Sequence, residues 1–280
     1  MNGAESLVKT LLAGGVDVCF ANPGTSEMHF VAALDKIPGM RCVLGLFEGV
    51  VTGAADGYYR MADKPASTLL HLGPGLANGL ANLHNAKKAD SGIVNIVGEH
   101  ATYHIEYNAP LTSDIEGLAR PMSHWVRTSP DAQSVAADGA AAIQAANAVP
   151  GQIATLILPA DTAWSPAETV AETQAASPPT PVSQDAVIAA AKMLRSGNKT
   201  TLMLGGRALR SCPLELVGRI VAKTGCGVLT EWSNTRFERG AGRIQINRIP
   251  YPVDKALPVM RDAGDLVLVG AREPVAFFAY

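Results

Sequence analysis

The sequence predicts an α/β protein built on doubly wound parallel sheets, and three observations carry that prediction. Short runs of β-branched and apolar residues alternate with segments whose apolar positions fall at helical spacing. Gly and Pro punctuate the exits of those runs, as in Asn22-Pro23-Gly24 and Gly73-Pro74-Gly75. The alternation stops between Asp161 and Gln184, where Pro, Ala and Thr dominate without an apolar period, and then resumes. Strands separated by helices imply a parallel sheet covered on both faces.

In order, Leu7, Val8, Leu11 and Leu12 mark a helix over 4–14, stopped by Gly14-Gly15 before a strand from Val16 to Phe20. Asn22-Pro-Gly-Thr-Ser-Glu27 is a strand-to-helix loop, with Pro23-Gly24 as its turn and Thr25 or Ser26 as the helix cap. A strand over 41–47 runs into a small-residue helix over 49–61, with Glu48 at the junction. A strand from Ser67 to His71, a helix from Leu76 to Lys87 and a strand from Ile93 to Val97 follow, then an Ala-rich helix around 131–147 and a strand from Ile153 to Leu158. The first domain is therefore set at 1–165, a linker at 166–183 and a second α/β domain at 184–280. In the second, helix 185–196, strand 200–204, helix 213–223, strand 227–230 and strand 266–269 are expected. Three strands in about 95 residues make it an incomplete doubly wound unit, and the chain reads as the front part of a longer protein.

With 280 residues, 48% hydrophobic and 17% charged, the chain can bury a sizeable core. Its 23 Lys and Arg against 25 Asp and Glu give no nucleic-acid surface, and no stretch approaches the roughly 20 apolar residues that span a bilayer. Four widely spaced cysteines form no C-x-x-C pair and read as buried thiols of a cytoplasmic protein.

Glu48 is the first candidate for chemistry, because almost nothing in Leu44–Tyr58 could solvate it. It is either a helix-start carboxylate stabilised by the macrodipole or an acid poised to share a proton with a bound heterocycle. His71 precedes Gly73-Pro74-Gly75 and is either turned to the cleft or hydrogen-bonded at a strand end. His100 and His104 follow the next strand, with no third ligand spaced to complete a metal site. His84 and His124 read as structural. Gly205-Gly206 follows a strand but does not form G-x-G-x-x-G, so it is weak support for a dinucleotide.

Over nearly all of residues 2–165 these stretches resemble the pyrimidine-binding domain of thiamine-diphosphate enzymes, in the group of acetolactate synthase large subunits and benzoylformate decarboxylases. The resemblance is carried by Asn22–Glu27, by Glu48 with Ala54-Ala-Asp-Gly-Tyr58, by Gly73-Pro-Gly75 with Asn78 and Asn82, and by Ile115-Glu-Gly-Leu-Ala-Arg-Pro121. The second unit is similar to that group's Rossmann-like central domain. The resemblance implies a 2-oxo-acid decarboxylase or carboligase acting through a C2 ylid and an enamine. It implies that Glu48 bonds the aminopyrimidine, that Pro23, Gly24, Gly73, Pro74, Gly75 and Asn78 bind the cofactor, and that Thr25, Ser26 and His71 bind substrate. His71, His100 and His104 are the further catalytic candidates it implies.

The sequence mixes features of the group. His71 is similar to the decarboxylase histidine, whereas acetolactate synthases have a small hydroxyl residue there. Gly49 stands where those synthases usually have glutamine, and His100 and His104 are not adjacent as in pyruvate decarboxylases. No Gly-Asp-Gly of the group's diphosphate-binding domain occurs in these 280 residues, and no metal ligand is expected in this chain. Thiamine diphosphate and magnesium would therefore both need that further domain, and the chain alone should be inactive. FAD is not implied. The implied partners are a small 2-oxo acid and further copies of the chain, as a homodimer or homotetramer with intersubunit sites. The competing reading is a non-catalytic binding or assembly subunit that retains the domain. A flavin or nicotinamide oxidoreductase resting on Gly205-Gly206 is a third.

Overall fold

Every strand of the first sheet runs the same way, so all the loops that leave its carboxyl ends gather on one edge. The computed structural model describes residues 1–175 and 178–278, in two units, Met1–Pro179 and Thr180–Tyr280. In the first unit α1 (Gly3–Ala13), β1 (Val18–Asn22), α2 (Met28–Lys36), β2 (Arg41–Leu44), α3 (Glu48–Ala62) and β3 (Ala66–Leu70) come first. They are followed by α4 (Leu72–Lys88), β4 (Ile93–Glu99), α5 (Ile115–Ala119), β5 (Trp125–Thr128), α6 (Val135–Ala146), β6 (Ile153–Pro159) and α7 (Ala160–Trp164). The strand order is β2-β1-β3-β4-β6-β5.

The central strands β3, β4 and β6 are buried along their whole length. One apolar layer, with Leu7, Leu11, Phe30 and Ile143, packs α1, α2 and α6 on one face. A second, with Val51, Leu76, Leu83 and Ile115, packs α3, α4 and α5 on the other. Within the sheet, Thr68 Oγ1 donates to Asn95 Oδ1 at 2.9 Å and Asn95 Nδ2 donates to Thr155 Oγ1 at 3.1 Å. Ser123 Oγ lies 2.7 Å from Thr155 Oγ1 and completes a buried polar row. Each of these groups is satisfied, which is the condition for burying it.

Several boundaries differ from the sequence expectation. β2 ends at Leu44, because Gly45 N–H makes its last bond, to Ala21 O at 2.9 Å, and the chain then turns outward. Helix α4 begins at Leu72, so Gly73-Pro74-Gly75 forms its first turn instead of a preceding loop. Pro74 is tolerated there because the first helical amides have no intrahelical acceptor. The stretch expected as a linker from 166 starts as a strap on α1. Ala167 N–H donates to Met1 O, Ser6 Oγ donates to Thr169 O, and Ala171 N–H donates to Thr10 Oγ1.

The second unit holds α8 (Gln184–Arg195), β7 (Thr200–Leu204), α9 (Ser211–Thr224), β8 (Gly227–Thr230), β9 (Asn247–Arg248), α10 (Val253–Asp262) and β10 (Asp265–Val269). Its parallel sheet runs β10-β7-β8-β9 around Leu202, Leu204, Leu214, Val217 and Ile246. The two-residue β9 adds a fourth strand to the three expected, and α10 was hidden by Pro258 within it.

Candidate active site

Three loops at the carboxyl edge bring most of the expected residues together. Beyond β1 the turn Thr25–Glu27 sits beside the exit of β3, because β1 and β3 are hydrogen-bonded neighbours with Asn22 opposite Leu70. β1 is also flanked by β2, so the chain leaves it in both directions; such a switch point is where parallel sheets open a crevice.

Glu48 is the first residue of α3 and is 8% exposed. Asn78 Nδ2, from α4, donates to its Oε2 at 3.0 Å, and among the described residues Oε1 has no hydrogen-bond partner. The α3–α4 contact that sets this geometry is close. Thr52 Oγ1 donates to Gly79 O at 3.0 Å, and Asn82 Nδ2 donates to Gly49 O at 2.6 Å. A Cβ on Gly75 would lie 3.0 Å from Glu48 Oε1 and 3.2 Å from His71 Cβ, so this glycine keeps the space between the two residues open. A buried acid with one fixed oxygen and one unpartnered oxygen beside a side-chain-free turn fits a ring nitrogen that can share a proton.

His71 caps α4, and its Nδ1 lies 2.8 Å from Oε2 of the buried Glu27. Gly24 lies against the same ring, since a Cβ there would come within 2.3 Å of His71 Nδ1. Glu27 lies within the Asn22–Glu27 stretch, but its contact with His71 is not legible there. An acid three residues after Gly24 looks like an ordinary helix-start carboxylate, and it does accept Gly24 N–H.

Thr25, Ser26, His100 and His104 meet in a cleft of ≈ 280 Å³ that Ala101, Tyr103, Ala160 and Trp164 also line. The His100 and His104 rings are 5.8 Å apart, edge to face, and His100 Nε2 is buried without a partner. Glu99, just before them, is pushed up in pKa by burial, and its Oε1 accepts His100 N–H at 2.7 Å.

Other residues fall elsewhere. Gly73 faces away from Glu48, for a Cβ on it would strike Ser113 Oγ at 1.8 Å, so its smallness serves the packing of the segment before α5. Pro74 is exposed in the first turn of α4. His124 lies at the opposite, amino edge, where its Nδ1 accepts Ile153 N–H at 3.0 Å; burial lowers its pKa, and the neutral ring has a structural task. His84 is on α4, with Nδ1 3.5 Å from Asn85 Oδ1 at the surface. Among the described residues no group of three or more His, Cys, Asp and Glu is arranged to hold a metal ion. In the second unit, the turn after Gly205-Gly206 leads to α9, whose first amide, that of Ser211, donates to Glu238 Oε2 at 2.8 Å. Hydrogen bonds from Ser211 hold that carboxyl down to about 2, so an internal anion occupies the helix start.

Residues 1–124 match the thiamine pyrophosphate enzyme N-terminal TPP binding domain. Those 124 residues form a thiamine pyrophosphate enzyme N-terminal domain. Among the relatives of the chain is the "Putative acetolactate synthase large subunit IlvX" of Mycobacterium tuberculosis, 54% identical over 281 residues, which cover 100% of this chain and 54% of that protein. Benzoylformate decarboxylase of Pseudomonas aeruginosa is 34% identical over 154 residues, which cover 55% of this chain and 29% of that enzyme. The fold is shared with the solved thiamine diphosphate-dependent 4-hydroxybenzoylformate decarboxylase of Rhodococcus jostii RHA1. That match has a TM-score of 0.82 at 22% identity and covers 97% of this chain and 52% of that one. The chain thus spans about half the length of the first of these relatives. Among the described residues no helix is long and apolar enough to cross a membrane.

Around Glu48 this domain also exposes apolar side chains: Leu46 is 91% exposed, Phe47 49% and Val50 59%.

Proposed function

We propose that this chain supplies the pyrimidine-binding half of a thiamine-diphosphate-dependent 2-oxo-acid decarboxylase or carboligase. The observation that carries the reading is the buried Glu48, with Oε2 fixed by Asn78 and Oε1 unpartnered, next to His71 across Gly75. When bound, thiamine diphosphate supplies a carbon nucleophile and an electron sink for cleaving or forming the bond beside a carbonyl. Glu48 would share a proton with the cofactor's pyrimidine nitrogen, in a low-dielectric setting that strengthens that hydrogen bond. Asn78 holds that carboxyl in register, and Pro23, Gly24 and Gly75 leave room for the ring. His71 moves a proton at the substrate's carbonyl or carboxylate, the Thr25 and Ser26 hydroxyls donate hydrogen bonds to the carboxylate, and His100 and His104 line the adjoining cleft.

Magnesium and the diphosphate take their ligands, in this reading, from a further domain of the Gly-Asp-Gly type. That domain, in another copy of the chain's full-length protein, would cover Leu46, Phe47 and Val50, which makes the working enzyme a homodimer or homotetramer. The domain limits 1–165 and 184–280 and a cytoplasmic location belong to the same proposal. FAD has no part in it, in keeping with the Glu238 carboxylate at the start of α9.

The test is a full-length protein or a mixture supplying the diphosphate-binding domain, assayed with thiamine diphosphate, magnesium and a panel of 2-oxo acids for carbon dioxide release and for carboligation. Turnover with at least one acid is expected. Failure to bind thiamine diphosphate by calorimetry, together with no turnover, would leave the non-catalytic assembly subunit as the better reading.

A further inference from the structure

His71 has two ring nitrogens, and what it can do beside Glu48 and Gly75 depends on which of them carries the proton. The residue that decides this is Glu27, whose side chain is 1% exposed while that of His71 is 23% exposed. Glu27 Oε2 accepts Gly24 N–H at 2.7 Å and lies 2.8 Å from His71 Nδ1. An oxygen already accepting an amide proton is best matched by a second donor, which makes Nδ1 the protonated nitrogen and leaves Nε2 at the opposite, open edge of the ring.

The pair is held by two glycines on different elements. A Cβ on Gly24 would come within 2.3 Å of the imidazole, and a Cβ on Gly98, near the end of β4, would lie 1.7 Å from Glu27 Oε1. Those two slots admit the carboxylate and the ring side by side and little else. Glu27 Oε1 is buried with no hydrogen-bond partner, so the polar contacts of this buried acid are all on the His71 side. Leaving one oxygen of a buried carboxylate unpaired is costly, and such an arrangement persists where the other contacts over-determine it.

We infer that Glu27 is a positioning residue: it fixes His71 as the Nδ1–H tautomer, leaves Nε2 as the ring's proton acceptor, and stabilises the imidazolium formed when Nε2 takes a proton. The proton-moving role of His71 rests on the function proposed above; the tautomer does not.

The two are separated by experiment. Long-range ¹H–¹⁵N spectra of the 280-residue chain report the His71 tautomer directly and need no variant. Nδ1–H is expected in the native protein, with the Nε2–H form gaining population in Glu27→Gln, where the amide can turn its NH₂ to the ring. An Nε2–H native ring, or a tautomer indifferent to Glu27→Gln, overturns the inference. In the reconstituted enzyme, Glu27→Gln is expected to lower kcat by about 10²-fold or more, the scale of general acid–base catalysis. Added to His71→Ala it should cost nothing further, because the loss runs through the ring. Losses that multiply in the double variant also overturn it. A His71→Ala enzyme with native rates, beside an Nδ1–H ring governed by Glu27, instead removes His71 from the proposed function and leaves the positioning intact.

Discussion

Gly75 lies between Glu48 and His71: a Cβ on it would stand 3.0 Å from Glu48 Oε1 and 3.2 Å from His71 Cβ. The gap between an acid and a histidine is thus kept open by the absence of one methyl group. Gly75→Ala should fold, at a cost of about 1–3 kcal/mol for overpacking, and should lose thiamine-diphosphate binding in the complete enzyme. Urea unfolding and calorimetry check the two parts; unchanged cofactor affinity would mean the gap is not the cofactor's.

Glu48→Gln keeps the shape and the Asn78 contact but not the shared proton. In the complete enzyme kcat should fall by about 10²–10⁴-fold with the circular dichroism spectrum unchanged. Native turnover in this variant would take Glu48 out of the mechanism.

Leu46 is 91% exposed, so Leu46→Asp should leave the unfolding midpoint of the chain where it is. If the patch around Glu48 is covered by a partner, the same change weakens the oligomer of the complete enzyme in sedimentation velocity and lowers its activity with it. Native assembly would place the interface elsewhere.

Asn95 joins Thr68 to Thr155 inside the sheet. Asn95→Ala strands the Thr68 hydroxyl in a buried strand and should destabilise the chain by about 1–3 kcal/mol for that group alone, before any cavity cost. Equilibrium unfolding in urea measures it.

Glu99 carries a pH signature. Its folded pKa is raised by burial, so between its unfolded value near 4.5 and the higher folded value the native state binds more protons than the unfolded chain. Stability from this group is therefore lost as pH rises through that window. Glu99→Gln, which keeps an acceptor for His100 N–H, should raise the thermal midpoint at pH 7 and have no effect below pH 4.5. A variant less stable at pH 7 would contradict this sign.

Much of the fold was legible because its strands are long, apolar and buried on both faces. β5 and β9 were not, being four and two residues with half-exposed or exposed positions, and α10 was masked by Pro258. Glu48 was legible because an acid stands alone in an apolar stretch. Glu27 was not, because its role depends on His71, 44 residues away, and on the slot left by Gly98.

The sequence by itself determined the α/β alternation, the division into two units and the set of polar residues at strand exits, since each is a local pattern of period, turn chemistry or composition. Only the tertiary structure decided that β1 lies beside β3, and so that Glu27 meets His71. It also decided that α3 packs on α4 so that Asn78 reaches Glu48, and that Gly73 serves packing while Gly75 serves the gap. Strand order and helix contacts are set by the burial of whole faces, and no short stretch of sequence contains that sum.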